Sequence, residues 1–106
     1  MIYWIYLLGA GCFEIGFTTC MKLSNGFTHI WYTLGFILCA ACSFWLLSKC
    51  LSHIPLGTAY AVWTGIGAFG TALIGMAYFN DPISTGRIIL LLVLISSILG
   101  LKLIAD

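Results

Sequence analysis

The sequence predicts an all-α membrane protein, one domain over residues 1–106 with four transmembrane helices. Composition is the first reason. Of the 106 residues, 62% are hydrophobic and only 7% charged, with a mean hydropathy of +1.14. A soluble domain this short needs many more polar residues to cover its surface. The second reason is where the charges fall. Of Glu14, Lys22, Lys49, Asp81, Arg87, Lys102 and Asp106, only Glu14 lies deep inside an apolar run. The third is spacing: four apolar runs, each about 20 residues and long enough to cross a bilayer as a helix, alternate with short breaker-rich turns.

The first predicted span covers 2–21. It resembles a signal peptide in place and hydrophobicity, yet it lacks a basic leader and a small-x-small cleavage site, and it carries an acid, so a retained span is expected. Lys22-Leu23-Ser24-Asn25-Gly26 ends it, Asn-Gly being a strong breaker pair. The second span covers 30–51 and stops at Ser52-His53-Ile54-Pro55. The third covers 56–79 and stops at Asn80-Asp81-Pro82, and the fourth covers 83–104. Connections this short make successive helices antiparallel neighbours. An even number of spans puts both termini on one side.

The charges exclude some partners and leave orientation open. A net charge of +1 supplies no basic patch, so nucleic acid is not an expected partner. Lys22 and Arg87 belong to one side of the membrane, Lys49 and Lys102 to the other. Loop charge normally orients such a chain, and here the count is balanced. Either the charges are too few to matter, or the chain inserts both ways round and oppositely oriented copies pair. The second reading fits the size, because four helices make a thin wall for an aqueous path and two inverted copies supply an inverted repeat. The five cysteines, Cys12, Cys20, Cys39, Cys42 and Cys50, lie in apolar runs. Cys39-x-x-Cys42 has redox or metal spacing, but with no His or acid beside it small-residue packing is expected. No cofactor or metal is expected.

Glu14 is the residue that packing alone does not explain. Ionisable side chains at membrane depth are expensive and functional by default. On a helix its neighbours are Ala10, Gly11, Phe17, Thr18 and Met21: small residues that leave space, an aromatic wall and a hydroxyl. In the third span Tyr60 and Trp63 share a face, with Gly67 one turn beyond. A carboxylate with aromatic faces is what recognition of an organic cation requires. Aromatic belts at the membrane interface explain Tyr60 equally well. Gly65-Ile66-Gly67 marks either a bend or a close helix approach. Ser43 stands at mid-depth among Gly35, Cys39, Ala40 and Cys42, where a serine usually bonds its own backbone. The fourth span is the most aliphatic, and Ser96, Ser97 and Gly100 give it a small-residue face suited to dimerisation.

Together these features resemble the small multidrug resistance family of bacterial transporters over essentially the whole chain. The resemblance rests on the mid-membrane Glu14, on Met21-Lys22-Leu23-Ser24-Asn25-Gly26-Phe27-Thr28, and on Ile54-Pro55-Leu56-Gly57-Thr58-Ala59-Tyr60-Ala61-Val62-Trp63. It implies an antiparallel homodimer in the bacterial inner membrane that exchanges protons for small organic cations. It further implies that Glu14 is the shared proton and substrate site, Tyr60 and Trp63 the binding aromatics, Ser43 the site hydroxyl and Gly65-Ile66-Gly67 a kink. The branch is mixed. Trp63-Thr64-Gly65-Ile66-Gly67-Ala68 and Leu99-Gly100-Leu101-Lys102 look like the guanidinium exporters, which usually carry tryptophan where this chain has Phe17. Gly16-Phe17-Thr18-Thr19-Cys20-Met21-Lys22 and Ala41-Cys42-Ser43-Phe44-Trp45-Leu46-Leu47 look like the quaternary-ammonium branch. Leu90 and Ser97 stand where that branch has glycines.

Glu14 alone suggests a mechanism. Two carboxyls facing one cavity titrate as a coupled pair, binding a cation when deprotonated and protons otherwise, so alternating access suffices for exchange. Two rivals stand beside it: a non-transporting small subunit of a larger membrane complex, and one half of a heterodimeric transporter. An enzyme is not expected, since no nucleophile–base arrangement or metal-ligand cluster lies at membrane depth.

Overall fold

The computed structural model describes residues 2–105, which form four helices: α1 (Ile2–Leu23), α2 (Ile30–Cys50), α3 (Leu56–Tyr78) and α4 (Thr85–Ala105). All four are long and apolar enough to cross a membrane. The 22 residues of α1 extend about 33 Å at 1.5 Å per residue, close to the thickness of a hydrocarbon core.

Each boundary has a local cause. Lys22 and Leu23 continue α1 two residues past the expected end, until Ser24 closes it. The Ser24 hydroxyl donates to the Met21 carbonyl at 2.7 Å and accepts the Phe27 N–H at 3.0 Å. Asn25, Gly26 and Phe27 then take left-handed φ values of 49°, 71° and 65°. Only Gly26 does so without steric penalty, and no helix continues through three such residues. At the other end of the hairpin, Cys50 is fully buried and donates its thiol to the Tyr3 carbonyl at 3.1 Å, fixing the α2–α3 turn to the start of α1. The fourth helix starts at Thr85, two residues later than expected, because Ser84 caps it: its hydroxyl accepts the Arg87 N–H at 3.2 Å, as serine does at helix N-termini.

The helices lie in a row, α2–α1–α3–α4. Among the described residues α1 packs against both α2 and α3, α3 packs against α4, α2 and α3 touch only slightly, and α4 reaches α1 through the Lys102 side chain. The molecule measures 42 × 35 × 17 Å. Since a helix with its side chains is about 10–12 Å across, the shortest dimension allows little more than one layer. Lys22 lies over the Phe79 ring and Lys102 over Trp4. Thus Lys22 and Lys102 lie at opposite ends of the helices.

Glycine sets how closely the helices approach. A Cβ at Gly11 would strike Ile66, and one at Gly70 would strike Ile15, so α1 and α3, which run parallel, are locked by reciprocal isoleucine-on-glycine contacts. The antiparallel pair α1 and α2 repeats the device with thiols. Cys39 packs over Gly16 and Cys20 over Gly35, each sulfur 3.1 Å from the position a Cβ would take. The cysteines therefore serve packing here, as small polarisable groups do.

Candidate functional site

Glu14 projects from α1 into the seam with α3. Its carboxyl fills the space that a side chain at residue 67 would take, so that any Cβ there would collide with it. Gly67 is thus a socket for the acid. The Glu14 Oε1 atom is closed off from solvent and has no hydrogen-bond partner among the described residues, nor does an ion pair reach Glu14 among them. A buried carboxylate oxygen without a donor is strongly disfavoured. This one is therefore a ready acceptor for a proton or a cation.

Ser43 and Trp63 are built together. Trp63 is 7% exposed and Ser43 fully buried. The Trp63 indole N–H donates to the Ser43 hydroxyl at 2.9 Å, and that hydroxyl donates to the Ala10 carbonyl at 2.7 Å. One hydroxyl thereby joins α3, α2 and α1, and its carbonyl partner lies one turn from Glu14. Ser43 does not bond its own helix, which is the usual fate of a membrane serine. It fixes the plane of the indole.

Around this bond the aromatic rings are continuous. Tyr60, which is 58% exposed, lies 5.8 Å from Trp63 at an interplanar angle of 45°. Phe44 meets Trp63 at 5.5 Å and stacks with Phe17 at 6.2 Å. Phe36 meets the edge of Phe17 at 5.7 Å. Separations of this size are the favoured ones for ring pairs. The wall draws on three helices, and Glu14 rises from α1 on the stripe of Ala10, one turn before Phe17.

Of the residues picked out by sequence, Phe17, Ser43, Tyr60 and Trp63 gather into this one linked array. Thr18 sits differently: its hydroxyl donates to the Ile15 carbonyl at 3.0 Å and lies 2.7 Å from the Thr71 hydroxyl, so it turns into the α1–α3 seam one turn above Glu14. Gly65 receives Ile98 of α4, and α3 runs unbroken through Gly65 and Gly67. Ser96 and Ser97 bond the Leu92 and Val93 carbonyls of their own helix and are exposed, and Gly100 faces open space, all on α4, which packs against α3. Sequence reasoning passed over Phe36, Phe44, Thr64 and Thr71. Phe44 adjoins Ser43 and lies eight residues from Phe36 on one helical face, a usable signal. Thr64, whose hydroxyl is buried without a partner among the described residues, stands three residues before Gly67 and gave none.

A row of four membrane-crossing helices with one half-buried acid in an otherwise apolar span fits the class of small multi-pass membrane transporters. A family model described as Small Multidrug Resistance protein matches residues 2–95. The chain is 38% identical over 102 residues to the multidrug transporter EmrE of Escherichia coli K12, covering 96% of this chain and 93% of that one. It is 40% identical over 100 residues to the guanidinium exporter of Yersinia pseudotuberculosis, covering 94% and 96%. It is 39% identical over 105 residues to the probable guanidinium efflux system subunit GdnD of Bacillus subtilis 168, covering 99% and 100%. The chain belongs to the small multidrug resistance family. It is accordingly a multi-pass transporter of the bacterial inner membrane and not an enzyme, and relatives of both branches match it about equally, as the mixed motifs suggested.

Proposed function

We propose that this protein exports small organic cations in exchange for protons, as an antiparallel homodimer in which Glu14 of each copy forms the common binding site. The observation that carries the reading is the Glu14 carboxyl oxygen, buried in the Gly67 socket without a donor and set beside an aromatic array. An anionic carboxylate attracts a cation, and ring faces add cation–π attraction worth about 0.5–2 kcal/mol each. Protonation removes the charge. One site therefore holds protons or cation, and their exclusion of each other couples the two fluxes once access alternates.

In this reading Glu14 binds the proton and the cation; Phe17, Thr18, Tyr60 and Trp63 line the cation site; and Ser43 holds Trp63. Gly65 and Gly67 are the hinge, because glycine is the least restricted point of α3. Ser96, Ser97 and Gly100 form the dimer contact on α4, whose outer face is open. Lipid covers what remains. The relatives' names, multidrug transporter and guanidinium exporter, support organic cations as the substrate class. A single layer of helices 17 Å thick encloses no site alone, which supports a second copy, and the even division of Lys and Arg between its ends supports an inverted one.

The test is solid-supported-membrane electrophysiology on purified protein, with guanidinium, alkylated guanidines and bulky quaternary ammonium ions presented in turn. Cation-evoked currents that vanish in Glu14→Gln, while the variant stays folded and dimeric, are expected. Undiminished proton-driven uptake by Glu14→Gln in liposomes refutes the proposal. The Bacillus subtilis relative is named as a probable subunit of an efflux system, which favours a second reading in which the partner is a paralogue. Transport by this chain expressed alone excludes it.

A further inference from the structure

The α1–α3 seam does not end at Glu14. The two helices run parallel in fixed register, and every fourth residue brings another pair together. Glu14 meets Gly67, and one turn on Thr18 meets Thr71, their hydroxyls 2.7 Å apart. A turn further Lys22 stands on α1 and Gly75 on α3, where the Asp81 carboxylate folds back against the glycine. Between these last two rungs lies a cavity of about 130 Å³, lined by Thr18, Thr19, Lys22, Thr71 and Asp81 among others. Liquid water takes about 30 Å³ per molecule, and a buried water needs two to four polar partners. The cavity has room for a few waters and hydroxyls to hold them. At its loop end stands Asp81, half-exposed and 3.9 Å from the half-exposed Arg87.

From this geometry we infer that the α1–α3 seam carries protons between Glu14 and the aqueous face at the first and third loops. The inference rests on the exchange reading of Glu14 above. When a cation displaces the proton of Glu14, the carboxyl becomes carboxylate and the proton passes to water held by the Thr18 and Thr71 hydroxyls. The two hydroxyls anchor that water, and the water carries the proton out past Asp81. Thr71 is a positioning residue, holding water rather than touching the cation. The charged groups facing the seam are Lys22 from α1, Asp81 from the loop and Arg87 from α4, with none from α2 among the described residues. A cation entering along this seam would meet Lys22 at its mouth, whereas the aromatic array lies on the side of Glu14 toward α2. Proton and cation thus have separate approaches to one carboxyl. In an inverted pair the two seams face opposite sides of the membrane, so that only the seam on the open side conducts as access alternates.

The test follows proton release by stopped flow, with purified dimer in weak buffer containing a pH-indicator dye, mixed with guanidinium and with tetraethylammonium. Wild type must release protons on mixing; if it releases none with either cation, both the exchange reading and the seam fall. Given release, Thr71→Val is expected to slow it about fivefold, the effect of one hydrogen bond lost from the path. The amount released and the cation affinity stay unchanged, and Thr71→Ser restores the rate. Release from Thr71→Val at the wild-type rate overturns the seam while leaving the exchange reading intact. So does a loss of cation affinity in step with the rate. Should Thr71→Val not fold, Asp81→Asn at the half-exposed mouth decides: slower release supports the path, and an unchanged rate rejects it.

Discussion

Gly67 and Glu14 act as one unit, a socket and its occupant, and the first prediction belongs to that pair. Gly67→Ala places a methyl group where the carboxyl lies. Overpacking of this kind costs about 1–3 kcal/mol, here at the expense of the acid's position, so cation affinity measured by calorimetry should fall at least about tenfold while helix content holds. Unchanged affinity would show that Glu14 finds room elsewhere. Trp63 divides into two contributions. Trp63→Phe keeps a ring but removes the N–H that Ser43 accepts, a loss of about 1 kcal/mol in thermal stability. Trp63→Ala removes the ring face as well, and should weaken cation binding further than Trp63→Phe does, with assembly retained. Equal affinities for the two variants would confine Trp63 to a structural role. Glu14 itself was legible in sequence because a lone acid in an apolar run has no packing explanation. Thr64 and Thr71 were not, since a membrane helix is apolar all round and lacks the polar stripe that tells a soluble helix's inner face from its outer.

At the level of helices, the seams are held by glycine opposite bulk, a pattern that depends on partners and not on glycine count. A matched pair of substitutions tests this. Gly11→Val must displace Ile66, and should lower the melting temperature by the equivalent of about 1–3 kcal/mol. Gly86→Ala meets no atom within 4 Å and lies in the first turn of α4, so it should be neutral or stabilising by up to about 1 kcal/mol. A melting temperature that falls equally for both would deny the reciprocal contacts any part in α1–α3 packing. Four helices and their turns were readable within two or three residues, because hydrophobic length, Asn-Gly and proline act locally. The remaining shifts came from hydroxyl caps, Ser24 closing α1 and Ser84 opening α4. Both bonds span three residues, but serine occurs at many other places in this chain without such a role.

The whole molecule is a thin row with its acid on one flank, and competition between proton and cation is a property of the assembled site. Because protonation neutralises Glu14, cation affinity should decline as pH is lowered through the titration of the pair. Linkage limits the slope to about tenfold per pH unit for each proton displaced. Titrating binding of a single cation from alkaline to acid pH measures it. Affinity that is flat across the whole range, or that rises in acid, contradicts exchange at Glu14. Mass by light scattering, corrected for detergent, should be that of two chains; a monomer that still binds cation would remove the need for a second copy.

By itself the sequence determined the class, the four spans, the even charge division and the one residue that burial alone would not place there. These follow from hydrophobicity and from short-range backbone preferences, which act without reference to the rest of the chain. Tertiary structure alone decided what surrounds that residue. It set Gly67 as the socket of Glu14, joined Trp63 through Ser43 to Ala10, and paired Thr18 with Thr71. Three of these four contacts join residues more than 30 positions apart, and the fourth, Trp63 to Ser43, joins residues 20 apart. They depend on which faces of uniformly apolar helices meet, and that is settled by the fit of bulk into glycine across the row.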